Sequence, residues 1–138
     1  MATTATIQLR SDLLSNNVSV STNTTCMKAG TTADDLDQMD MGYLELASGA
    51  QKNLFDADND LIKDKANKVY ICNESTDETY YVDVTIKAEV IGSLYAGDWM
   101  FIPWGAEHAD SDIGLEAQTG TNKITYTLFH EGRTLTAS

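Results

Sequence analysis

Apolar and polar residues alternate along the C-terminal half of the chain with the period of two that a half-buried strand requires. In Lys123–His130, Ile124, Tyr126 and Leu128 stand against Thr125, Thr127 and Phe129. In Tyr80–Ile86, Tyr80, Val82, Val84 and Ile86 share one face. Lys68–Cys72 is a run of β-favouring residues, and Asn73–Asp77 is a cluster of turn residues. The runs on either side of that cluster therefore read as a hairpin. Val90–Leu94, a turn at Ala96-Gly97-Asp98, Trp99–Ile102, the short Asp112–Ala117 and a turn at Thr119–Asn122 complete the series. Turns recur about every 8–12 residues, the rhythm of sandwiches and jelly rolls. No helix-length amphipathic pattern competes with it. The expected fold is all-β: a β-sandwich or jelly-roll of about eight strands over residues 34–138.

Two stretches depart from this rhythm. Residues 1–33 are rich in Thr, Ser and Asn, with Ile7-Gln8-Leu9 and Val18-Ser19-Val20 alternating. They read as an extended N-terminal arm or edge strands. An arm with so little apolar content does not stabilise itself, because ordering each residue costs about 1–2 kcal/mol of backbone entropy. Backbone hydrogen bonds to a partner's sheet edge would offset that cost. Residues 34–68 are the least regular. Met41 and Tyr43 point one way, Leu44 and Leu46 the other. Asn53–Asp60 reads as a loop, with a helical turn near Leu61–Lys65.

Charge narrows the function. The chain has 138 residues, one domain's length, with 21 Asp and Glu against 9 Lys and Arg, a net charge of −12. So acidic a surface repels phosphate backbones and anionic lipid, so neither nucleic acid nor membrane is expected as a partner. Cys26 and Cys72 lack CxxC or Cys/His ligand spacing and read as two small buried thiols. The N-terminus has no basic start followed by an apolar run, so no signal peptide is expected and synthesis is placed in a cytoplasm.

Candidate chemistry is sparse. Gly97, then Pro103-Trp104-Gly105 and His108 match in spacing the second conserved motif of the cupins, with Asp112 at its closing Asn position. The resemblance implies a turn at Gly97, a strand to Ile102, and a Pro103–Gly105 bend that aims His108 at a metal. The family's first motif, two His and a Glu, is missing, and the other histidine is His130. His108 then reads as a surface residue, and no metal, cofactor or catalytic residue is expected. Asp56, Asp58, Asp60 and Asp64 have the spacing of an EF-hand start. Leu61 and Asn67 stand where that loop needs Gly and Glu. Glu107, Asp110 and Asp112 read as a solvated face. There is no GxSxG elbow and no phosphate-cradling glycine loop. Trp99 and Phe101 share a strand face and are expected in the core. Trp104, after Pro103, is expected at an exposed bend, as an interface anchor.

Four stretches carry a further likeness: Ile7–Ser15, Lys28–Thr32, Lys68–Ser75, and Ile91–Leu94 through Ala96–Trp104. With them the chain resembles small virion structural proteins of tailed bacteriophages, above all the capsid decoration (cement) proteins of marine and cyanobacterial phages. The resemblance implies a β-sandwich on the capsid exterior, bound to the major capsid protein as a homo-oligomer, a trimer by preference. The candidate partner contacts are Ile7, Leu9, Arg10, Leu13, Val18 and Val20 of the arm, with Trp104. The rival readings are a tail or fibre adaptor of the virion and a cupin-like enzyme or binding domain.

Overall fold

The computed structural model describes residues 3–11, 18–26, 38–58, 67–105 and 110–130, the first two stretches by their backbone. It contains ten strands: β1 Thr3–Ser11, β2 Val18–Cys26, β3 Gln38–Leu46, β4 Gln51–Phe55, β5 Asn67–Asn73, β6 Tyr81–Ile86, β7 Glu89–Tyr95, β8 Trp99–Trp104, β9 Ile113–Thr119 and β10 Asn122–His130. There is no helix among the described residues.

β3 to β10 form two four-stranded antiparallel sheets, in the orders β3-β10-β5-β8 and β4-β9-β6-β7. The pairing is nested. β6 pairs β7, β5 pairs β8, β4 pairs β9 and β3 pairs β10. A single long antiparallel ribbon, folded at the β6–β7 turn and rolled, gives this order, with β10–β5 and β6–β9 contacts closing the sheets. That is a jelly-roll arrangement. β1 and β2 pair antiparallel as a separate two-stranded sheet.

The period-two pattern sets what each sheet buries. On β5, Asn67, Val69, Ile71 and Asn73 face in while Lys68, Tyr70 and Cys72 face out. Ile124 and Leu128 of β10 and Leu46 of β3 join Val69 and Ile71 from one sheet. Val82, Val84, Leu94, Ile113, Leu115 and Ala117 meet them from the other. Each such aliphatic side chain stabilises the fold by about 1.5–3 kcal/mol. Phe55 bridges the layers, with its ring 5.7 Å from Trp104 and 5.6 Å, edge-on, from Tyr126. Gly42 faces Tyr126 because a Cβ there would lie 2.3 Å from the Tyr126 ring.

A polar staple closes one end of the sandwich. Asn73 and Asn122 are fully buried. Asn73 Nδ2 donates to Leu94 O at 2.9 Å and to Asn122 Oδ1 at 3.0 Å. Its Oδ1 accepts from Ser75 N at 3.1 Å. Asn122 Nδ2 donates to Thr119 O at 2.9 Å and Tyr81 O at 3.3 Å. Ser75 Oγ accepts from Lys123 N at 3.0 Å. Strands of both sheets are thus joined by two side chains. On the turn that follows, Asp77 Oδ1 accepts from Thr79 Oγ1 and Thr79 N, which holds its carboxyl below the usual range.

Several expectations are corrected. β5 and β6 are not a hairpin: they lie in different sheets, and residues 74–80 cross between them. Residues 53–55 are strand, not loop; β4 is an edge strand with a bulge, so its polar residues stay exposed. The Leu61–Lys65 turn lies outside the described residues. Pro103 does not start a bend: β8 runs on to Trp104, and Pro103 is tolerated because β8 is an edge strand. The β6–β7 turn is Lys87-Ala88, both with positive φ, as a two-residue primed turn requires.

Asn73→Ala is expected to leave Leu94 O, Asn122 and Ser75 N short of partners. Thermal unfolding followed by circular dichroism should show a loss of about 3 kcal/mol.

Candidate functional site

The two sheets present very different outer faces. Across β3-β10-β5-β8, register places outward residues in three rows, with the charged Glu45–Lys123 pair beyond the first. The rows are Tyr43–Thr125–Cys72–Trp99, Met41–Thr127–Tyr70–Phe101 and Met39–Phe129–Lys68–Pro103. One formal charge, Lys68, stands among twelve positions. Met41 is 72% exposed, Met39 59%, Tyr43 54% and Trp99 42%. Tyr70 lies against Trp99 with ring centroids 6.3 Å apart, and Phe101 against Phe129 at 6.2 Å. An antiparallel sheet with one wet face normally makes that face polar. A contiguous apolar, aromatic surface of this kind marks an interaction site.

The opposite sheet is more polar, although Val90, Ile91 and Tyr95 are exposed on its edge strand β7. Gln51, Glu116, Asp83 and Ser93 form a row across β4, β9, β6 and β7, and Ser93 Oγ donates to Asp83 Oδ1 at 2.6 Å. Tyr81 and Tyr95 stack at 4.6 Å beside it. A groove of about 650 Å³ opens on this side near Lys52, Thr85, Lys87 and Gly114.

Trp104 is corrected from exposed anchor to core residue. It is 4% exposed, packs on Phe55, and its Nε1 donates to Ser111 O at 2.7 Å. Trp99 and Phe101 are corrected the other way: Met100, Ile102 and Trp104 are the inward residues of β8. Cys72 is half-buried on the aromatic face, not a core thiol, while the Cys26 side chain is outside the described residues. In the arm, Ile7, Leu9 and Arg10 fall on β1, Val18 and Val20 on β2, with Leu9 opposite Val20. Their side chains, and Leu13 altogether, are outside the described residues.

The polar candidates are placed as follows. His108 and Glu107 lie outside the described residues. His130 Nε2 is 3.2 Å from Asp40 Oδ2 at the end of β10. Asp112 is not simply a solvated acid: its Oδ1 accepts from Ala57 N at 2.8 Å and its Oδ2 from Asn53 Nδ2 at 3.2 Å, tying β4 to β9. Asp56 Oδ1 accepts from Asp58 N at 2.9 Å, and Asp60 is outside the described residues. No group of three or more His, Cys, Asp or Glu is placed to hold a metal among the described residues.

No protein-family model matches the chain, and no curated protein sequence matches it. Sequence reasoning missed the aromatic face because its signal is not local. The twelve residues come from four strands, and only the cross-strand register assembles them.

The two tryptophans report on this arrangement. In Trp104→Phe, the remaining Trp99 should emit at long wavelength and be quenched readily by acrylamide. In Trp99→Phe, the remaining Trp104 should emit at shorter wavelength and resist quenching.

Proposed function

We propose that the chain is a structural protein of a tailed-phage virion, a capsid decoration protein that binds and reinforces the assembled shell of major capsid proteins. The observation that carries the proposal is the aromatic face of the β3-β10-β5-β8 sheet. Burying large aromatic and Met side chains at a protein contact supplies affinity that a polar surface lacks. The likeness of the four sequence stretches supplies the identity of the partner, and a jelly roll is a fold that viral capsid proteins use. The acidic row on the opposite sheet suits a surface turned outward, away from packaged DNA.

The arm supports the same reading. An isolated two-stranded hairpin is marginally stable in water, and β1–β2 pairs with neither four-stranded sheet. A neighbouring copy or the shell would pair with its edges. Shell junctions are symmetric, so a cyclic oligomer, a trimer on local threefold positions, follows. The role is binding, without catalysis. A partner that binds only the assembled shell stabilises it by mass action, and many sites on one lattice add.

Particles carrying the protein should release DNA at a higher temperature than particles without it. Trp99→Ser with Phe101→Ser should fold normally and lower shell occupancy at least about ten-fold. Equal release temperatures, with the protein found on the tail, would replace this reading with that of a tail adaptor. Deleting residues 2–25 should leave a folded domain that no longer binds; unfolding of the truncated chain would show that the arm belongs to the core.

A further inference from the structure

Within the aromatic face lies a slot of about 530 Å³. Met41 and Tyr43 of β3 form one bank and Tyr70 of β5 the other, with Thr125 and Thr127 of β10 as the floor. β3 and β5 flank β10, so the banks are two strand spacings apart, about 10 Å between backbones. Once two side chains are subtracted, the opening is one side chain wide. The floor is low because β10 carries threonine at both positions, Thr127 between Met41 and Tyr70 and Thr125 between Tyr43 and Cys72.

The slot has an acidic head. Glu74 follows the last residue of β5, and its backbone N donates to Lys123 O at 2.7 Å. Its Oε1 accepts from Thr125 Oγ1 at 3.2 Å, which turns the carboxylate toward the floor. A second carboxylate, Glu45, does not line the slot but stands beside it, accepting from the Tyr43 hydroxyl at 2.7 Å. Lys123 is opposite Glu45 in register, yet forms no ion pair with either acid. The bond to Glu45 is the main cause that pushes the Tyr43 phenol up; burial and the charges of Glu45 and Glu74 add to it. Burial chiefly pushes Tyr70 up, followed by its hydrogen bond and electrostatic interaction with Cys72 and then the charge on Glu74. Both phenols therefore stay neutral beside these acids; Tyr43 is exposed, and Tyr70 is half-buried against Trp99.

We propose that this slot receives a basic side chain, arginine above all, projecting from the protein surface on which the aromatic face docks. The inference rests on the docking reading and names the chemistry of the partner. An arginine stem is apolar and fits between Met41 and the threonine methyls. Its planar guanidinium stacks on tyrosine and makes charge-assisted bonds to a carboxylate. A chain of net charge −12 draws such a surface toward it before contact. A neutral sugar would use the ring faces and donate hydroxyl hydrogen bonds to the two acids, but it lacks the charge pairing that arginine adds.

The test is an NMR titration of the folded chain with N-acetyl-arginine amide. Matched titrations use N-acetyl-citrulline amide, which keeps the shape without the charge, and methyl glucoside. Arginine amide should give saturable shifts at Tyr43, Tyr70, Thr125 and Thr127 that weaken as salt is raised. Glu74→Gln, at an exposed position, should keep the native spectrum elsewhere and weaken binding about ten-fold. Citrulline and glucoside should give no saturable shift. The proposal is overturned if arginine gives none at about 50 mM, if citrulline matches it, or if glucoside binds instead. The docking reading is judged separately. If Glu74→Gln decorates shells normally while Trp99→Ser with Phe101→Ser does not, the slot inference fails and the docking reading stands.

Discussion

The hydrogen bond between Asn73 and Asn122, buried where the two sheets meet, fixes the geometry on which everything else depends. Apolar residues alone would hold the sheets together in several alignments, since dispersion and hydrophobic burial are non-directional. The two amides are directional. They reach Leu94, Tyr81 and Thr119 in the opposite sheet and Ser75 in the crossing segment. A slip of one residue in β5 or β10 would break these bonds and would also reverse which side chains face solvent. The buried amides therefore select the register, and the register selects the outer face.

That selection explains how one small domain carries two surfaces of opposite character. β6 and β9 of the β4-β9-β6-β7 sheet alternate buried apolar and outward residues, the outward ones including the acids Asp83 and Glu116, while Val90, Ile91 and Tyr95 stay exposed on its edge strand β7. The strands of the β3-β10-β5-β8 sheet are apolar on the inside and again rich in aromatic and Met residues on the outside. Leaving such a surface in water forgoes burial worth about 25 cal/mol per Å². The sequence nevertheless keeps it free of acids across three rows while the chain as a whole holds 21. The proposed docking to a protein surface would account for both the aromatic excess and the missing charge.

Most of the fold was legible because alternation is a local signal. The two faces of β6 and β10 were separated correctly, and so were Leu44 and Leu46 from Met41 and Tyr43 on β3, although alternation did not say which β3 face is buried. β8 was misread because all six of its residues are apolar, so a period of two assigns neither face. β4 was missed because an edge strand with a bulge keeps its polar residues exposed. The Asn73–Asp77 turn signal was genuine, but turn composition does not say whether the chain returns to its own sheet or crosses to the other. Lys87-Ala88 holds a tight turn without glycine or asparagine, so nothing in the sequence marked it. The candidate surface was illegible for a related reason: Tyr43, Tyr70, Trp99 and Phe129 are far apart in sequence and become neighbours through pairing.

The account's central claim is that the aromatic sheet face, and not the acidic one, is the surface that meets the partner. A density map of the intact virion with this protein in place tests it most directly, because strand order makes the two faces distinguishable. The account predicts that β3, β10, β5 and β8 lie against the capsid shell, with the Gln51–Glu116–Asp83–Ser93 row facing solvent. A map with the acidic row against the shell and Trp99 and Met41 exposed would contradict it.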